Sequence, residues 1–85
     1  MLVFDNDFFS QHSTPAAMLF VYLVAMSNER GEVYTSIREL AAKTSLPINT
    51  VRQKMLELES EHTIHTVVTH RGSVITICNI KEYKN

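Results

Sequence analysis

This 85-residue chain holds one cysteine, two glycines and two prolines. With Cys78 alone, no intrachain disulfide can form, and a disulfide-stapled secreted scaffold is excluded. There is no glycine-rich phosphate loop and no nucleophile elbow. Ser10 and His12 near Asp5 and Asp7 have the residue types of a catalytic triad without such an elbow, so the chain is not expected to be an enzyme. His62, His65 and His70, with Cys78, lack the paired spacing of a zinc site, and neither metal nor cofactor is expected. The longest apolar run, residues 16–26, falls short of the about 20 residues a membrane span requires. Asp5 and Asp7 precede it where a signal sequence would carry basic residues, so a reducing cytoplasmic compartment is the expectation. Neither sign of charge dominates. The net charge is −1, and any affinity for nucleic acid must rest on local charge.

The remaining composition, 45% hydrophobic and 20% charged, is that of one globular domain. A chain of this size buries only about 60% of the surface its unfolded form exposes. One small core follows, with no room for a large enclosed active site. No internal repeat interrupts the reading. Residues 1–12, with Leu2, Val3, Phe4, Phe8 and Phe9, form an apolar arm or a short strand; residues 13–83 form the domain, and residues 84–85 a tail.

Punctuation then divides the domain. Thr14 suits an N-cap and Pro15 the first helical position, where a missing N–H costs nothing. The helix runs through residue 26 and ends over residues 28–31, with Gly31 in left-handed backbone. Val33-Tyr34-Thr35 is extended. Ser36 and Glu39 match a capping box opening a second helix, with Ile37, Leu40, Ala41 and Thr44 on one face and Arg38, Glu39, Ala42 and Lys43 on the other. Ser45-Leu46-Pro47 is a tight turn. A third helix spans Ile48–Ser60, with Val51, Met55 and Leu58 inward. The period then changes to that of strands over residues 64–69 and 73–80, a hairpin turning at Arg71-Gly72. The expected fold is α+β, a winged helix-turn-helix: a three-helix bundle with a C-terminal β-hairpin wing.

Leu40-Ala41-Ala42-Lys43-Thr44-Ser45-Leu46-Pro47-Ile48-Asn49-Thr50-Val51 resembles the helix-turn-helix of bacterial winged-helix DNA-binding proteins. Leu58-Glu59 with Ile64 resembles their exit into the wing. The stretch from Gly31 to Ala41, and the ending Ile75-Thr76-Ile77-Cys78-Asn79-Ile80-Lys81-Glu82-Tyr83, resemble the N-terminal domains of phage and mobile-element replication proteins, the replisome organisers. The likeness covers about residues 15–83. It implies DNA binding in replication initiation or transcriptional regulation. Two positions depart from the pattern. Pro47, with neither hydroxyl nor N–H, stands where a Ser usually caps the third helix and can touch a phosphate. His62 stands where a Gly is usual, so a left-handed histidine or a reshaped turn is expected.

With Val51 inward, Asn49, Arg52, Gln53 and Leu56 point outward, flanked by Thr50 and Lys54. Asn and Gln pair bidentately with adenine, and Arg with guanine or phosphate, so this face suits the major groove of double-stranded DNA. Asn49, Arg52 and Gln53 are expected at bases. Thr50, Lys54 and Arg71 are expected near phosphates. Thr35 and Ser36 are further phosphate candidates, with Ser36 also needed as a cap. Leu56 and the glutamates Glu57, Glu59 and Glu61 argue the other way: either Leu56 tucks beneath the wing, or the face meets a protein. The first helix is apolar nearly all round and must be covered on more than one side. A homodimer through this helix and the arm is the favoured expectation, because helix-turn-helix proteins commonly read two half-sites. If the arm covers the helix alone, the protein is monomeric.

Overall fold

A computed structural model describes residues 13–84. The arm expected over residues 1–12 lies outside the described residues. Helix α1 is Thr14–Met26. Its N-cap is Ser13, not Thr14, and Ser13 makes no side-chain capping bond. The reason is local: Ser13 holds extended backbone while its carbonyl accepts the first helical bond, from Ala17 N–H at 2.9 Å. Thr14 already belongs to the helix, with Pro15 inside the first turn. Ala16, Ala17, Leu19, Phe20, Leu23 and Val24 form its buried face.

The chain leaves α1 at Ser27, directly after Met26, the last helical residue expected from the sequence. Asn28 shapes the next turn. Its Oδ1 accepts from Arg30 N–H at 2.9 Å and from Glu32 N–H at 3.0 Å, an arrangement that mimics backbone pairing. Gly31 supplies the positive φ of 79° that closes this turn into β1, Glu32–Thr35. A side chain there would also strike Ile80, because a Cβ would stand 2.9 Å from the Ile80 Cβ.

Helix α2 is Ile37–Thr44 and α3 is Ile48–Ser60. Ser36 Oγ accepts from Glu39 N–H at 3.1 Å, which is one half of a capping box. The other half is absent: the Glu39 carboxylate accepts from the Thr35 hydroxyl at 3.0 Å. Ser45 turns left-handed after α2, and Pro47 N-caps α3 without a side-chain bond. The end of α3 follows the Schellman pattern. Thr63 N–H reaches Leu58 O at 3.0 Å and His62 N–H reaches Glu59 O at 3.0 Å, with His62 at φ 59°. A histidine thus occupies left-handed backbone that glycine usually supplies.

Strands β2, Ile64–Thr69, and β3, Gly72–Ile77, form the hairpin. Thr69 pairs with Gly72, so the two loop residues are His70 and Arg71. The turn expected at Arg71-Gly72 is therefore shifted by one, because Gly72 already pairs and Thr69 bridges the loop, accepting from Arg71 N–H and donating to Gly72 O. The second strand also ends sooner than residue 80. Cys78 N–H turns to Thr63 O, Asn79 goes left-handed at φ 57°, and Ile80–Glu82 becomes a 3₁₀ turn. That reversal buries Ile80 instead of extending the sheet.

The result is α+β: three helices against a three-stranded antiparallel sheet in the order β1-β3-β2. Val33 faces Ile75 across β1 and β3, while Ile64 faces Ile77 across β2 and β3. Phe20, Leu40, Val51 and Leu58 from the three helices meet this face in one cluster. Tyr83 meets Phe20 edge to face, with ring centroids 5.1 Å apart. Lys84, expected in the tail, donates its ammonium to the Ser27 carbonyl at the end of α1.

Candidate nucleic-acid interface

Helix α3 has two faces set by one period. Val51, Met55 and Leu58 are buried, which turns Asn49, Arg52, Gln53 and Leu56 outward. All four are exposed, while Thr50 and Lys54 are half-buried at the flanks. Every α3 residue singled out in the sequence thus lies on or beside one face. Lys54 Nζ is 3.8 Å from a Glu57 carboxylate oxygen. At this distance the two make an ion pair without a hydrogen bond, between side chains that are both only half-buried.

The α3 N-terminus has a distinct character. Val51 N–H to Pro47 O, at 3.0 Å, is the helix's opening bond. Pro47 offers no hydroxyl, and the first turn holds no acidic residue. Its leading amides therefore have no capping side chain, and no carboxylate of this turn opposes an anion brought to them.

Thr35 and Ser36 stand elsewhere, at the entry to α2. Both hydroxyls are engaged with Glu39, one by its carboxylate and one by its N–H. A carboxylate at this spot repels phosphate, so these two residues are poorer candidates than α3 offers. Arg71 and His70 are exposed at the hairpin tip.

Leu56 does not tuck beneath the hairpin. It is 65% exposed. Between α3 and the hairpin runs an open groove of about 290 Å³, lined by Ile37, Met55, Leu56 and Val68, with Arg52 and Glu59 among its polar residues. Val68, 79% exposed, was not singled out in the sequence. Alternation along β2 puts it on the same face as buried Ile64, beyond the point where the helices cover the sheet. The signal available beforehand was that alternation: Ile64, Thr66 and Val68 share one face of the strand.

A larger open groove, about 640 Å³, lies between α1 and α2, lined by Met18, Val21 and Tyr22 with Lys43 beside them. Met18 is 46% exposed there. Among the described residues, no three His, Cys, Asp or Glu side chains gather where they would hold a metal ion, and no helix is long and apolar enough to cross a membrane. No protein-family model matches the chain, and comparison with curated proteins finds no match.

Proposed function

We propose that this chain is a winged helix-turn-helix that binds double-stranded DNA, with α3 as the recognition helix and the β2–β3 hairpin as the wing. The observation that carries the reading is the outward face of α3. Asn49, Arg52 and Gln53 are exposed together on a helix whose opposite face is locked into the core. Asn49 and Gln53 are base-reading side chains, Arg52 pairs with guanine or with phosphate, and their helix follows a tight turn after α2. Arg71 at the wing tip and Lys54 beside the reading face supply positive charge near phosphates. The resemblance to replisome organisers favours a role in phage or mobile-element replication initiation, with transcriptional regulation as the other use of the same face.

The outer face of α1 supports a homodimer within this reading. It carries no charged residue, so two copies meet there without repulsion, and Met18 and Met26 remain exposed. Met18→Glu is expected to hold the protein monomeric in light scattering; an unchanged mass would remove α1 from the contact.

A protein-interaction role without DNA is the second reading, favoured by the exposed Leu56 and Val68 and by the sequence pI of about 6.4. Fluorescence anisotropy with a labelled generic duplex separates the two. The DNA reading expects binding at low salt that weakens in Arg52→Ala and Gln53→Ala. Absence of binding at low salt supports the protein-interaction reading.

A further inference from the structure

We infer that the groove between α3 and the wing seats the C5-methyl of thymine, so that the protein prefers A·T-rich duplex. The inference rests on the DNA reading above and deepens it. Asn49, Gln53 and Leu56 lie at i, i+4 and i+7 on the exposed side of α3. Seven residues of helix rise about 10.5 Å, roughly three base-pair steps of about 3.4 Å each. Two of the three side chains are amides, whose bidentate partner in the major groove is adenine N6 and N7. The third is apolar.

Duplex DNA offers an apolar side chain little in the major groove except one group, the thymine methyl. That methyl belongs to the base opposite the adenine an amide would read. Leu56, on α3, and Val68, on the wing, are both largely exposed, and Met55 and Ile37 complete the apolar lining between them. A phosphate fits this groove poorly: most of its surface is apolar, contributed by Ile37, Met55, Leu56 and Val68, and Glu59 would repel it. Arg52, also in the lining, can instead reach the backbone beside a seated methyl. The amides and the groove thus favour the same kind of base pair at successive steps, the amides through adenine and the groove through the thymine methyl.

The test uses the whole chain and three labelled duplexes of equal length at one low salt concentration. One is alternating A·T; another is the same sequence with deoxyuridine for thymidine, which removes only the methyls; the third is alternating G·C. Anisotropy is expected to rank them A·T, then the deoxyuridine duplex, then G·C. Each buried methyl should account for about a fourfold change in affinity. Leu56→Ala should bind the thymidine and deoxyuridine duplexes equally while still binding DNA. Arg71→Ala should keep the methyl dependence, because a phosphate contact does not sense the C5-methyl in the major groove. Equal binding of the thymidine and deoxyuridine duplexes by the unmodified protein would overturn the inference and leave the DNA reading standing. G·C bound as tightly as A·T would do the same. No binding to any of the three would overturn both.

Discussion

The salt dependence expected of the proposed duplex binding can be worked out from the charges on one face. Arg52 and Arg71 are exposed, and Lys54 is half-buried beside the reading face. If all three neutralise phosphates, the slope of log affinity against log salt is about −2.7. Affinity then falls about 40-fold between about 50 mM and about 200 mM salt. Arg71→Ala removes one phosphate contact and brings the slope to about −1.8, a fall of only about 12-fold over the same range. Lys54 is shared with Glu57 at 3.8 Å, so Glu57→Gln should tighten binding, through release of the lysine and loss of a repelling carboxylate. The assay is anisotropy with a labelled duplex at four or more salt concentrations, repeated for each variant. Slopes for Arg52→Ala and Arg71→Ala that coincide with that of the unmodified protein would refute the assignment of these side chains to phosphates. A slope near zero throughout would refute the electrostatic argument as a whole.

Three further predictions concern the framework that presents this face. Gly31→Ala combines left-handed backbone with a 2.9 Å approach to Ile80 and should cost about 2–4 kcal/mol, read as a fall of more than about 10 °C in thermal midpoint; a midpoint within about 3 °C would show that the turn relaxes freely. Leu58→Ala opens a cavity beneath α3 and should lose about 2–5 kcal/mol in urea unfolding, whereas a loss under about 1 kcal/mol would mean that the core collapses around the gap. His62→Gly removes the strain of a side chain at φ 59° and should gain about 0.5–1 kcal/mol, with duplex binding unaltered; a loss of stability would mean that the imidazole contributes more than its backbone costs.

Local chemistry made much of the fold legible. The bounds of α3 and its inward stripe of Val51, Met55 and Leu58 follow from period and turn signals, and β2 from its run of Thr and Val after the period changes. The candidate reading face followed with them, because residues facing away from a buried stripe are exposed by geometry alone. Elements failed to match where a second partner intervened. The apolar run through Ile80 reads as strand, yet Cys78 bonds back to Thr63 and Asn79 reverses the chain, so Ile80 enters the core from a 3₁₀ turn. Ser36 and Glu39 read as a reciprocal cap, yet the Thr35 hydroxyl captures the carboxylate.

The bounds of α3 and β2, the polar face of α3 and the left-handed backbone at Gly31 were therefore determined by the sequence alone, because each depends on residues within a few positions of one another. The pairing order β1-β3-β2, the burial of Ile80 against Gly31, the Phe20–Tyr83 contact and the groove between Leu56 and Val68 were decided only by tertiary structure. Each of these joins residues far apart in the chain, and no local periodicity records which distant surface a side chain will meet.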